Sequence, residues 1–179
     1  MNRRTLLYGG GVAAGFAGIG AGWWRNQRDH SAPSVAADPA KSDAINSFWS
    51  LSFDTPDGKS LAMSGFSGKP LLLNFWATWC PPCVEELPVL DAFYQNNKSK
   101  DWQVFGLAVD QPSAVRKWLQ AKPLSYGVGM AGFNGTELSK SLGNSAGSLP
   151  FSVLFNASGQ LVQSKTGKVT TEDLKRWRG

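Results

Sequence analysis

The chain has 179 residues, of which 42% are hydrophobic and 17% charged, a composition typical of one globular domain with a short appendage. Its formal net charge is +5, and part of that charge lies at the two ends of the chain. No basic stripe interleaved with aromatic residues occurs in the middle, which excludes an ordinary nucleic-acid-binding surface.

The first 28 residues differ in composition from the rest. Arg3 and Arg4 precede an uncharged run at residues 5–24. A basic start followed by an apolar stretch is typical of a signal peptide or a membrane anchor, and about 20 residues span a bilayer as a helix. We therefore predict that residues 1–28 are a signal peptide or membrane anchor, an N-terminal apolar helix that reaches the inner membrane through residues 5–24.

A cleaved signal is the alternative to an anchor. The pair Arg3-Arg4 followed by T-L-L resembles a twin-arginine export signal, and the many glycines of the run weaken its insertion into a bilayer. The best small-residue cleavage pattern, Ser34-Val35-Ala36, lies well beyond the apolar run. That distance favours retention as an anchor.

Residues 29–46 are rich in Ala, Ser, Pro and Asp. This composition predicts a flexible linker between the anchor and a folded domain at residues 47–179. The sole histidine, His30, falls in the linker, where no neighbouring structure would hold its side chain. We predict no functional role for it.

Periodic segments begin at Phe48. The turn sequence T-P-D-G between two short strand-like segments predicts a β-hairpin. The apolar run Pro70–Ala77 predicts a central strand covered on both faces. Apolar residues at helical spacing then predict a helix through Val84–Tyr94, kinked at Pro88.

The second half of the chain continues the alternation of strands and helices. The predicted elements are a buried strand (Trp102–Asp110), a helix capped by Ser113, a shorter helix (Thr136–Leu142), a hairpin that begins at Phe151, and a last helix opened by Thr170 and Asp173. Such an order predicts an α/β sandwich around a mixed sheet.

The only two cysteines, Cys80 and Cys83, lie in W-C-P-P-C where the first central strand turns into a helix. A disulfide across so short a loop adds little stability, which favours a chemical role. A helix N-terminus stabilises a thiolate, so we predict that Cys80 is the exposed, attacking sulfur and Cys83 the more buried, resolving thiol. Pro81 suits the start of a helix. Pro82 removes an N–H donor that could have faced the Cys80 sulfur, and no histidine or basic residue lies between the cysteines, which favours a reductant.

Other uses of a C-x-x-C pair are less well matched. Structural zinc usually needs four Cys or His ligands, and haem attachment needs a His directly after the second cysteine, where Val84 stands. A copper(I) site made by the two thiolates and an inert pair both stay open. We predict neither a resident metal nor a small-molecule cofactor.

The stretch F-W-A-T-W-C-P-P-C-x-x-E-x-P, followed later by L-P-F before a strand, resembles the thioredoxin fold. More closely, residues 47–179 resemble the membrane-tethered periplasmic branch typified by TlpA, ResA and DsbE (CcmG). The resemblance implies a thioredoxin-like three-layer α/β sandwich with a central mixed β-sheet and an N-terminal β-hairpin extension. It also implies a periplasmic thiol:disulfide oxidoreductase.

Carried over by position, the resemblance implies catalytic roles for Cys80, Cys83 and Glu86. A buried carboxylate has a raised pKa, so Glu86 would shuttle a proton to or from Cys83, while the adjacent Glu85 would lie on a solvated helix face. Many thioredoxins carry a buried Asp where this chain has Asn74. An amide cannot take up a proton, so Glu86 or solvent must do so.

Three further positions are implied to bind the partner protein. Trp79 flanks the cysteines, and Pro150 would be the cis-proline that packs opposite the disulfide. Leu149, directly before it, is bulky and is expected to influence the choice of partner.

The family resemblance implies a monomeric reductase of disulfides in exported proteins, such as the haem-attachment cysteines of apocytochrome c or copper-binding cysteines of oxidase subunits. A membrane electron donor of the thiol-reductase type would recharge it. The alternatives are an oxidase that donates its disulfide to secreted proteins and a Cu(I)-binding assembly module. A peroxidase is disfavoured, because Ala77 stands where a peroxiredoxin has Thr.

Overall fold

The computed structural model describes residues 39–178. The predictions for residues 1–28 and for His30 lie outside the described residues, as does most of the predicted linker. The structure differs from the linker prediction at its end, where Pro39–Trp49 forms helix α1. Phe48 is fully buried and Ile45 and Trp49 pack beside it, so tertiary packing stabilises a helix that its composition does not favour.

The described part of the chain continues with seven strands and four further α-helices, besides two short 3₁₀-helices at Met63–Phe66 and Lys98–Lys100. In chain order these are β1 (Ser52–Asp54), β2 (Ser60–Ala62), β3 (Leu71–Trp76), α2 (Pro81–Asn97), β4 (Gln103–Ala108), α3 (Pro112–Ala121), β5 (Gly127–Met130), α4 (Gly135–Ser141), β6 (Phe151–Phe155), β7 (Leu161–Thr166) and α5 (Thr171–Arg178). No helix between residues 39 and 178 is both long and apolar enough to cross a bilayer.

All seven strands join one mixed sheet in the order β2-β1-β5-β4-β3-β6-β7. The three central strands β3, β4 and β5 are parallel, whereas β6 pairs antiparallel with β3 and β7 with β6. The β1–β2 hairpin extends the opposite edge, antiparallel to β5. The predicted mixed sheet and hairpin extension are confirmed.

Helices cover both faces of the sheet. Because side chains alternate along a strand, Leu72 and Trp76 of β3 face one apolar cluster, and Leu71, Leu73 and Phe75 face another. Helices α2, α3 and α5 contribute to the first cluster, and α1 and α4 to the second. The result is the predicted three-layer sandwich.

Strand β5 was not predicted, because G-V-G-M has two glycines and glycine weakens a strand. The neighbouring strand β4 explains both of them. A Cβ added at Gly129 would lie 2.7 Å from Cζ of Phe105, and one at Gly127 would lie 3.1 Å from Cδ2 of the same ring. The Phe105 ring occupies the space that side chains at these two glycine positions would need.

The two predicted helix caps have different outcomes. Ser113 does not cap α3: the cap residue is Gln111, and Pro112 opens the helix, a position where a missing N–H costs nothing. The cap of α5 is confirmed, since Thr170 N–H donates to Oδ2 of Asp173 at 2.9 Å and Asp173 N–H donates to Oγ1 of Thr170 at 3.3 Å.

Candidate active site

A disulfide joins Cys80 and Cys83 at the start of α2, with Cys80 as the residue that caps the helix. The N–H groups of Cys83 and Val84 donate to the Cys80 carbonyl at 3.1 and 3.2 Å, and Pro81 and Pro82 have no N–H to offer. Of the four residues in the first helical turn, two therefore lack an N–H group and the other two have theirs bonded to the Cys80 carbonyl. None of them is free to bind a thiolate on Cys80.

The cysteines differ in burial less than predicted. Cys83 is fully buried and Cys80 is 5% exposed, so the predicted order holds but the prediction of an exposed Cys80 is wrong. The Cys80 sulfur is bonded to that of a fully buried residue, and both cysteines belong to the apolar cluster beneath α2. A partner can therefore reach the pair only at the edge where Cys80 lies.

The residues implied to bind a partner lie at the same end of the sheet. The Leu149–Pro150 peptide bond is cis, as expected. Because β6 runs antiparallel to β3, with Phe151 opposite Phe75, the loop before β6 and the loop after β3 meet at one edge. Leu149 packs against both apolar clusters, and Trp79 is 66% exposed.

Glu86 lies fully buried on α2, one turn after Cys83. Its Oε1 accepts a hydrogen bond from Nδ2 of Asn74 at 2.8 Å, and its Oε2 accepts one from the N–H of Val169 at 2.6 Å. Burial away from water disfavours the charged carboxylate and raises the pKa of Glu86 to about 7, although both hydrogen bonds lower this pKa. Glu85 lies at the surface in an ion pair with a lysine, as expected of a solvated helix face.

Asn74 is suited to hold Glu86 in either protonation state. Its amide donates to both Glu86 and Oγ of Ser152, the latter at 3.0 Å, which suits an ionised carboxylate. Its Oδ1 has no hydrogen-bond partner among the described residues. Rotation of the amide would offer that oxygen to a protonated Glu86.

Replacing Asn74 by Asp should destabilise the protein in a pH-dependent way. Two carboxylates would then face each other in a buried site, and we expect the free energy of unfolding to fall by about 3 kcal/mol at pH 8. The loss should be smaller at pH 5, where the pair can share a proton. Urea unfolding of the oxidised protein at both pH values measures this, with the exposed Asn96→Asp as control. Equal losses at the two pH values would contradict it.

The loop that leads into Cys80 is held by Asp110, two residues after the end of β4. Oδ2 of Asp110 accepts from the N–H of Thr78 at 2.8 Å and from its hydroxyl at 2.6 Å, and Oδ1 accepts from Gln111 N–H at 2.7 Å. Neither Thr78 nor Asp110 has a role that was predicted from the sequence. The sequence feature that could have indicated Asp110 is its place, as a polar residue, at the carboxyl end of the parallel strand next to β3.

Within residues 39–178, no three or more His, Cys, Asp or Glu side chains converge as a metal site would require. A two-thiolate copper(I) site needs no such cluster, so that alternative is neither supported nor contradicted.

A disulfide that caps the helix after the first central strand, with a cis-proline before the neighbouring antiparallel strand, defines a thioredoxin-fold thiol–disulfide oxidoreductase. Comparison with known proteins agrees with this class. The model of the Redoxin family matches residues 30–177, and the chain belongs to this family.

The individual relatives point the same way. Thiol-disulfide oxidoreductase ResA of Bacillus thuringiensis is 32% identical over 122 residues, which cover 68% of each chain. A thioredoxin-family thiol:disulfide interchange protein of Chlorobium tepidum has a similar structure, with a TM-score of 0.62 and 30% identity over 71% of this chain and 89% of that one. StoA from Bacillus subtilis shares the fold, with a TM-score of 0.59 and 24% identity over 72% of this chain and 96% of that one.

Proposed function

We propose that the protein reduces disulfides of exported proteins in the periplasm, tethered to the inner membrane through residues 5–24. The observation that carries the direction of electron flow is the first turn of α2. Pro81 and Pro82 have no N–H, and the next two N–H groups are bonded to the Cys80 carbonyl. Strong oxidants arise when the reduced form is over-stabilised, and this turn offers a Cys80 thiolate no such support.

The reaction begins from the dithiol. The Cys80 thiolate attacks one sulfur of the partner disulfide, so that a Cys80–partner bond forms and the other partner sulfur leaves as a thiolate and takes up a proton. Cys83 then loses its proton and attacks the Cys80 sulfur, which releases the second partner thiolate to be protonated. Two electrons and two protons have then passed from the dithiol to the partner.

Glu86 accepts the proton that Cys83 loses in the second step. The two residues are three apart on α2 and therefore share a face, and both are fully buried. A carboxyl group whose pKa is raised to about 7 can take up and release a proton near neutral pH. Asn74 holds this carboxylate but cannot take up the proton itself.

Trp79, Leu149 and Pro150 bind the partner segment around its cysteine. The substrates are haem-attachment cysteines of apocytochrome c or copper-binding cysteines of oxidase subunits, and a membrane electron donor of the thiol-reductase type recharges the dithiol. These identities are supported by the resemblance to the membrane-tethered branch alone. The exchange itself needs no nucleic acid, no small-molecule cofactor and no second copy of the chain.

The reduction potential of the Cys80–Cys83 pair tests the proposed direction. We expect a value near or below that of thioredoxin, about −270 mV. The protein is equilibrated with dithiothreitol or glutathione buffers, and its oxidised fraction is measured by thiol alkylation, with a Cys80→Ser, Cys83→Ser double variant as the baseline. A value of about −120 mV would reverse the proposed direction of electron flow and indicate an oxidase that donates its disulfide to secreted proteins.

A further inference from the structure

Two aromatic side chains among the described residues are largely exposed: Trp79 at 66% and Phe133 at 77%. Trp79 follows β3, and Phe133 follows β5. Both strands run parallel to β4, which lies between them. The two loops therefore emerge at the same end of the sheet, where the parallel strands finish and where the disulfide lies. We refer to this end as the edge.

The loop that carries Phe133 is fixed beside this edge. The N–H of Ala131 donates to the carbonyl of Ala108 at 2.9 Å. Gly135, at the start of α4, lies so close to Val109 that an added Cβ would be 2.8 Å from Cγ2 of that residue. The next residue along the chain is Asp110, which holds the loop before Cys80. The two loops are thus joined through the end of β4.

The spacing between the loops fits a short extended peptide. Neighbouring strands lie about 4.8 Å apart, so the ends of β3 and β5 are separated by about 10 Å. An extended chain rises about 3.3 Å per residue. About three residues of a partner would therefore lie between the disulfide and the Phe133 loop.

We propose that Phe133 is a partner-binding residue that contacts a large apolar side chain about three residues from the partner cysteine. The inference rests on the proposed function, because its occupant is the extended segment whose cysteine bonds to Cys80. That segment has to approach the disulfide from this end of the sheet, since Cys80, at 5% exposure, is the more accessible cysteine and Cys83 is fully buried. An exposed aromatic ring on a fixed loop offers apolar contact area with little loss of conformational freedom.

Symmetrical peptide disulfides test this with the full-length reduced protein. Two peptides differ at the positions three residues before and after a central cysteine, which are leucine in one and serine in the other. We expect the leucine peptide to be reduced about tenfold faster, the effect of burying part of one apolar side chain. Phe133→Ala should bring the two rates within about twofold of each other, and Phe133→Trp should restore the preference.

Two controls separate the role of Phe133 from other effects. Hydroxyethyl disulfide has no apolar side chain, so Phe133→Ala should reduce it at the wild-type rate. Val162→Ala removes the third exposed large hydrophobic side chain of the described residues, besides Trp79 and Phe133. It is 45% exposed on β7, and the variant should keep the preference for leucine.

The outcomes distinguish this inference from the function on which it rests. A wild-type preference retained in Phe133→Ala would overturn the role of Phe133 and leave the reductase intact. An equal loss in Val162→Ala would also overturn it, because the effect would not depend on this edge. A dithiol that reduces neither the peptides nor hydroxyethyl disulfide would overturn both proposals.

Discussion

Replacing Cys83 by serine abolishes turnover and leaves the partner bonded to Cys80. This is the largest effect that we expect from a single substitution. Cys80 and Cys83 are the only cysteines of the chain, so no other thiol can resolve the mixed disulfide, and a serine hydroxyl is not a nucleophile for this exchange near neutral pH. Reduction of a protein disulfide should slow by at least about a thousandfold, as when a group that acts in every cycle is removed.

Trapping of the partner measures this directly. Cys83→Ser, reduced and mixed with a disulfide-containing partner, should give a covalent adduct on non-reducing gels that disappears with dithiothreitol. The matched variant is Cys80→Ser, which keeps the fully buried Cys83 and should form little adduct. If the two variants trap the partner equally, the assignment of attacking and resolving cysteines is wrong.

Glu86→Gln should remove a pH dependence from the stability of the protein. The pKa of Glu86 is about 7 in the folded state, against an ordinary value of 4.5 in the unfolded chain. Between these pH values the folded protein retains a proton that the unfolded chain has released. The free energy of unfolding therefore falls as the pH rises from about 4.5 to about 7, by about 3 kcal/mol in total, and glutamine cannot contribute to this fall.

Denaturant unfolding of the oxidised protein at pH 5 and pH 8 tests the prediction. The stability of Glu86→Gln relative to the wild type should rise between the two pH values by about 2.5 kcal/mol, most of the total change. Glu85→Gln changes the adjacent residue, which is exposed, and should keep the wild-type slope. A wild-type slope in Glu86→Gln would show that Glu86 does not retain its proton in this range.

The same substitution should slow one chemical step and spare the other. If Glu86 takes the proton of Cys83, Glu86→Gln slows the resolution of the mixed disulfide about a hundredfold at neutral pH. The attack by Cys80 should keep its rate, because Glu86 has no part in it. Rapid quenching with an alkylating agent separates the two steps, and equal slowing of both would contradict the assigned role.

Much of the sheet could be predicted from the sequence, because β3, β4 and β6 are apolar runs that need cover on both faces. Two elements could not, because both depend on distant contacts. Strand β5 contains glycines because the Phe105 ring of β4 leaves no room for side chains at those positions. Helix α1 is held by Phe48, whose ring stacks on that of Phe155 at 5.1 Å between centroids, and neither contact is visible in local composition.

The site divides in a similar way. The motif indicated both cysteines, and the resemblance indicated Glu86 and the cis-proline. The second hydrogen bond to Glu86 comes from the backbone of Val169, 83 residues further along the chain. No local pattern predicts such a contact, since a backbone N–H carries no sequence signature. The burial of Cys80 likewise depends on how the helix packs onto the sheet.

The two hydrogen bonds from Thr78 to Asp110 involve neither sulfur, so we expect them to persist when the disulfide opens. The chain just before Cys80 is therefore held in both redox states. Each residue whose backbone became free on reduction would stabilise the dithiol by roughly 1–2 kcal/mol of conformational entropy, which corresponds to a rise of about 20–40 mV in the potential of a two-electron couple. Because Asp110 prevents this gain in entropy, the reduction potential of the pair stays lower than it would be with an untethered loop. The dithiol is therefore a better electron donor.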